Sequence, residues 1–368
     1  DVMCIVSAIP QWAKKGAGAG KEEKNGEKIT DPSDLVTFVS IAAGRYKDKI
    51  RYWALFNSPQ SDKHWFEPKH LVELYRVGSK AIKDVSPRNV IVLAGFEGII
   101  DKRGAYLEKF LKLGGGKYVD MYDFHMNLGG GAHFSAAASE TNGLKEILKR
   151  YNEQGKPIQY GAIATPNRSE TDKNTIEKLK AKGWKPIDFE RITPELHAIR
   201  LVTLMIWGRT LCVERIFWTR TRDHAPESGS DYESWVSRKK KRKPSMKAER
   251  GFNKNMGVLN YEYGTKPSYH AFKTLIKKLD TATFLKELNV GEDAKAFIFQ
   301  KEGKNIAVFW SWEGEKSITL GIDVKSVNIS DLYGKAVNQI DLKKGKLTLR
   351  LTPAVIYVEG DFKELVTF

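Results

Sequence analysis

Short apolar runs alternate along the chain with segments whose apolar positions recur every three or four residues. The runs cover residues 2–8, 50–56, 90–96, 118–125, 157–164 and 213–219, each of strand length. Little polar alternation interrupts them, as expected of parallel strands covered on both faces. The amphipathic segments at 69–84, 105–113, 143–152, 171–182 and 194–209 read as helices. A strand followed by a helix, repeated, winds a parallel sheet with right-handed crossovers. The pattern predicts a (β/α)8-type TIM barrel of which six strands are visible. The first run begins almost at Asp1, so the two remaining βα units are expected before it. A second chain or a missing segment is the other way to complete the barrel.

Beyond residue 219 the period changes. A helix is predicted at 269–279, then short strands at 294–300, 305–312, 316–322, 326–332, 346–351 and 354–359. Turn signals separate them at Glu302-Gly303, Glu313-Gly314 and Lys344-Gly345. This is the signature of a small C-terminal antiparallel β-sandwich. The expected division is a barrel over 1–282 and a sandwich over 283–368.

Composition narrows the function classes. Of 368 residues, 41% are hydrophobic and 29% charged, as in ordinary globular proteins. No run approaches the ~20 apolar residues of a membrane span, so no membrane role is expected. The net charge of +16 raises nucleic acid as a partner. Much of that charge is spread over Lys/Glu helix faces such as 174–183, a mixture that also suits a heat-stable protein. The dense block Arg238 to Lys243 has no aromatic residue interleaved, and a nucleic-acid partner is not expected. Cys4 and Cys212 supply neither a disulfide framework nor a zinc site. No metal and no cofactor are expected.

In a barrel of this kind the chemistry sits at the C-terminal ends of the strands. Read in order, those ends carry Pro10-Gln11-Trp12, Trp53-Ala-Leu-Phe-Asn57-Ser58-Pro59, Phe124-His125, Lys156-Pro157-Ile158 and Trp218. Met256-Gly257-Val258 and Lys266-Pro267-Ser268-Tyr269 follow before the last helix. The series resembles the retaining glycoside hydrolases of clan A, particularly beta-xylosidase-like members, along about the whole chain. The resemblance implies a TIM barrel with an appended sandwich and a carbohydrate or other small-molecule ligand in the barrel mouth.

The resemblance also implies two catalytic glutamates, and neither is here. In the family an Asn-Glu-Pro supplies the acid/base and a glutamate on the seventh strand is the nucleophile, the carboxyls ~5 Å apart. The matching positions are Ser58 and Ala162. An alanine forms no glycosyl ester, and a serine does not protonate a leaving group at neutral pH. The neighbours differ too. Ala54 and Phe56 stand where Glu and Trp are usual, Gln159 and Gly161 where Trp and Thr are usual, and Asn127 near a place often taken by Tyr.

Three readings stay open. In a scaffold repurposed by design or by evolution, catalysis would fall to Glu97, Asp123, His125 or Ser58. A base beside an aromatic platform suits proton abstraction, and Ser58 with His125 forms a conceivable hydrolytic pair. In a catalytically dead sugar-binding protein, Trp12, Asn57, His125, Gln159, Trp218 and Trp235 would hold the ligand. An active glycosidase requires another register on the seventh strand, yet no glutamate lies within 156–167.

Overall fold

The computed structural model describes residues 2–6, 31–60, 66–97, 102–127, 134–164, 193–223, 256–312, 314–337, 341–343 and 345–367. The expected helix at 171–182, Trp12, Trp235, the basic block 238–243, Glu313 and Lys344 lie outside these residues. The chain divides into two units: 1–128 with 132–164 and 211–219, and 129–131 with 165–210 and 220–368.

The first unit is a six-stranded sheet: β1 (Met3–Val6), β2 (Tyr52–Leu55), β3 (Val90–Glu97), β4 (Met121–Asn127), β5 (Ile158–Ala164) and β6 (Arg215–Trp218). The strands lie in chain order and every pair is parallel. Helices α1 (Pro32–Arg45), α2 (Pro68–Val85), α3 (Lys102–Lys112) and α4 (Phe134–Arg150) connect them. On α2 the buried residues Leu71, Leu74, Tyr75, Gly78 and Ile82 keep the spacing of one helix face. Gly78 lets that face come close, since a Cβ there would sit 2.8 Å from Leu55 Cδ1. Tyr75 then donates to the Leu55 carbonyl at 2.5 Å and lies 3.1 Å from that of Val92, tying α2 to β2 and β3.

The sheet is strongly curled, and side-chain contacts prove it. β1 and β5 are four strand spacings apart, about 19 Å in a flat sheet. Yet Gln159 Nε2 on β5 lies 3.2 Å from Met3 Sδ on β1. Likewise Arg215 on β6 bonds the Tyr52 hydroxyl of β2, its guanidinium 3.6 Å from the ring centre. Tyr52, Ala54, Val92, Ala94 and Met121 fill the concave face as a packed core.

The expected strands and helices fall within a few residues of their observed places, apart from α4, which starts nine residues earlier. One helix, α1, escaped the pattern altogether. Its core-facing residues are only Leu35, Val39 and Ala43, while Phe38 and Ile41 are exposed, which blurs the period. Its cap is plain in the sequence: Asp31 accepts from the Ser33 amide at 2.8 Å, with Pro32 in the first turn.

The second unit holds α5 (Pro194–Thr210), α6 (Pro267–Leu279) and two antiparallel sheets. Arg209 of α5 bonds the carbonyl of Leu279, the last residue of α6, and those of Asp280 and Ala282 just beyond it. One sheet runs β11 (Asn328–Ser330), β14 (Ile356–Gly360), β9 (Lys304–Ser311), β8 (Ala294–Lys301) and β7 (Thr283–Leu288). The other runs β12 (Asp341–Lys343), β13 (Lys346–Leu351), β10 (Lys316–Ile322) and β15 (Leu365–Thr367). They share one core that includes Ile298, Phe309, Leu320, Leu347, Leu349 and Val358, so the predicted sandwich is present. Glu302 and Gly303 join β8 to β9 with φ of 51° and 78°, the positive pair that a two-residue hairpin turn demands. The sequence pattern missed β7, β12 and β15. All three are edge strands, where a half-solvated backbone leaves a weak apolar signal. Among the described residues no helix is long and apolar enough to cross a membrane.

Candidate functional site

The site begins where β2 ends. Tyr52 to Leu55 are buried, and the chain then turns sharply through Phe56 and Ser58, both at positive φ of 61° and 51°. Side-chain-bearing residues rarely hold such angles, and strain of this kind persists only when the surroundings impose it. Here the surroundings do. The Phe56 amide bonds the Val6 carbonyl at 2.7 Å and its ring packs 4.8 Å from that of Phe66. Phe66 closes the turn by donating to the Pro59 carbonyl at 3.0 Å. Asn57 and Ser58 are thus presented at a fixed place.

β3 is irregular at the same level. Its pairing with β4 shifts between Leu93 and Phe96, and Gly95 inside the shift has φ 70°. A Cβ at Gly95 would fall 2.3 Å from Asn57 Oδ1, 2.8 Å from the Ser58 nitrogen and 3.0 Å from His125 Cε1. Only glycine fits, and it is the point where Asn57, Ser58 and His125 converge. Asn57 Oδ1 is buried and has no hydrogen-bond partner among the described residues. In register, His125 stands between Glu97 on β3 and Ala162 on β5.

Directly below lies Asp123, two residues back on β4 and sealed from solvent. Its Oδ2 accepts from the Gly95 amide at 3.0 Å and its Oδ1 from Gln159 Nε2 at 3.1 Å. Gly161 roofs it, since a Cβ there would lie 2.1 Å from both carboxylate oxygens. Burial raises this carboxyl from 3.8 to about 7, against the opposing pull of Gln159 and the Gly95, Phe124 and Gly161 amides. Burial also lowers His125 from 6.5 to about 4, so its ring is neutral at neutral pH. The two groups are 3.8 Å apart, too far for a hydrogen bond, and with a neutral ring they form no ion pair.

The structure therefore brings together Asn57, Ser58 and His125, with Asp123 and Gln159 beneath them. Glu97 and Ala162 flank His125 by register. Trp218 pairs with Ile163, itself opposite Met126, at the level just beyond His125. In the sequence Gly161 stood out only as a departure from the family's usual Thr, and Gly95 was given no role. An isolated glycine inside a strand run is a bulge signal, and both carried it. Among the described residues no three His, Cys, Asp or Glu side chains gather as a metal set. Chemically, the cluster offers neutral hydrogen-bonding groups at its surface and one shielded carboxyl below.

No protein-family model and no curated protein sequence matches the chain. Solved structures do. A family 39 glycoside hydrolase from the gut symbiont Bacteroides cellulosilyticus aligns at TM-score 0.65 and 17% identity, over 90% of this chain and 62% of that one. A glucosidase from Croceicoccus marinus aligns at 0.59 and 11%, over 92% and 75%. A family 30 endoxylanase from Clostridium papyrosolvens aligns at 0.53 and 9%, over 91% and 73%. The chain spans about three-fifths of the length of the family 39 structure. Read first in the strand-end motifs, the resemblance is one of fold: this chain is built like the glycoside hydrolases of families 39 and 30.

Proposed function

We propose that the chain binds a carbohydrate or similar polyhydroxylated small molecule at the C-terminal strand ends, without retaining glycoside hydrolysis. The observation that carries this reading is the buried, unpartnered Asn57 Oδ1 beside the neutral His125. A buried acceptor left unpaired is costly, and a ligand hydroxyl would satisfy it. Non-hydrolysis rests on Ser58 and Ala162, neither of which does the work of a carboxylate. The fold is part of the proposal: two further βα units, from the same or another chain, would complete an eightfold barrel over 1–282, with the sandwich at 283–368.

Calorimetric titration with xylotriose, alongside an aryl β-xyloside assay, tests the proposal. Binding is expected, with His125→Ala weakening it about tenfold, the scale of one hydrogen bond to a ligand. No aryl glycoside turnover above buffer is expected. Turnover by the wild type would sink the non-hydrolytic reading, and absence of any saccharide binding would sink the site.

A second reading, a repurposed barrel with a residual base, draws on Asp123, whose carboxyl is poised at about 7. Its side chain is shut away beneath Gly161, so direct proton abstraction by it requires the roof to move.

A further inference from the structure

Gly95 has two sets of contacts. Where a Cβ would stand it faces Asn57 Oδ1, the Ser58 nitrogen and His125 Cε1. Its amide is spent on Asp123, at 3.0 Å, so the bulge hangs on one sealed carboxyl. Four donors surround that carboxyl: the Gly95, Phe124 and Gly161 amides and Gln159 Nε2. Such a shell suits an ionised group, whose oxygens only accept. It does not suit the neutral acid, whose O–H must donate. One idle acceptor is at hand. Gln159 Oε1, on the amide that already donates to Asp123, is buried without a partner among the described residues. Reaching it requires the amide to turn, and the turn withdraws Nε2 from both Asp123 and Met3 Sδ.

We propose that Asp123 is a positioning residue of the strand-end site: its ionised carboxylate fixes the Gly95 bulge against Asn57, Ser58 and His125, and a proton taken up there from solvent loosens the cluster and weakens ligand binding. This rests on the binding reading above and adds the regulation of that site. Burial works against the ionised form, so the fold keeps, at a cost in stability, the state that its four donors serve. The charged and titratable groups around Asp123 come from several elements. His125 follows it on β4, with Glu97 of β3 beside His125 by register. Tyr75 of α2 feels its charge, and Arg215 of β6 stands beside Gln159 in register and bonds the Tyr52 hydroxyl of β2. Burial pushes His125 down to about 4 and raises Tyr75, so neither changes charge between pH 5 and pH 8.

The test combines a pH profile of binding with a readout that needs no ligand. Xylotriose is titrated calorimetrically at pH 8, 7 and 6 into the wild type and into Asp123→Asn. Wild-type affinity is expected to fall about tenfold from pH 8 to pH 6, as the ionised fraction falls around 7. Asp123→Asn keeps the size of the side chain without its charge, and is expected to bind weakly and alike at every pH. In the wild type without ligand, ¹⁵N NMR follows the Gly95 backbone amide and the Asn57 side-chain amide from pH 5 to pH 8. Both are expected to move with one common midpoint. A flat wild-type binding profile overturns the regulation. The same slope in Asp123→Asn assigns the effect to another group and overturns it equally. A Gly95 signal that moves while Asn57 stays still overturns the positioning role. If no saccharide binds at any pH, the underlying binding reading fails, while the two NMR midpoints still decide whether Asp123 positions the cluster.

Discussion

Asp123 and His125 pull in opposite directions with pH. Asp123 has a folded value raised to about 7, so its stabilising share is full below 3.8 and is lost as pH rises through 7. His125 has a folded value lowered to about 4, so its share is full above 6.5 and is lost as pH falls through 4. Replacing Asp123 with Asn abolishes only the first dependence. Relative to wild type, Asp123→Asn should therefore gain stability between pH 5 and pH 8, on the order of a few kcal/mol at about 1.4 per pKa unit. Urea unfolding at both pH values measures it. A parallel pair of curves would show that Asp123 titrates in the fold as it does in solution. Little of this was legible beforehand. The sequence places Asp123 and His125 two residues apart on one strand, hence on one face, but says nothing of the glutamine and backbone amides that surround the carboxyl.

At the level of elements, legibility followed burial. Strands covered on both faces announce themselves, and β2 to β5 were found to within a few residues. The sandwich edges β7, β12 and β15 and helix α1 did not, because half their surface meets water and their apolar spacing carries less information. The end of α1 shows what a second kind of signal adds: Asp31-Pro32-Ser33 is a start signal independent of period. Removing it has a defined consequence. Asp31→Ala should destabilise the first unit, because the Ser33 amide in the first turn loses the acceptor that caps it. A thermal or urea midpoint indistinguishable from wild type would show that tertiary packing alone sets the start of α1.

For the molecule as a whole, the motif order was enough to reach a curled parallel sheet, antiparallel sheets and a glycoside-hydrolase-like fold, whereas the site depended on angles that motifs do not encode. Ser58 and Ala162 illustrate the gap. Restoring both glutamates, Ser58→Glu with Ala162→Glu, looks like repair on paper. Position 58 sits at φ 51° in a turn pinned by Phe56 and Phe66, and beside position 162 Gly161 packs directly against the Asp123 carboxylate, with no room for a side chain. Carboxylates introduced there would not inherit the geometry of an enzyme, and a misplacement of ~1 Å can cost a hundredfold in rate. The double variant should stay far below the ~10 s⁻¹ typical of enzymes on an aryl β-xyloside. Turnover approaching that value would mean that the pocket floor matters less than the carboxylates.

The side-chain ties across the curled sheet have a kinetic meaning. Gln159 meets Met3 from 156 residues away, and Arg215 meets Tyr52 from 163. Contacts so distant along the chain close the longest loops and form late. During synthesis the inner face of β1 and β2 must wait, unpaired, until β5 and β6 have left the ribosome. For that interval Met3 and Tyr52 are exposed to whatever else is sticky nearby, so the yield of native protein should depend on chaperones and on the speed of translation more than its equilibrium stability would suggest.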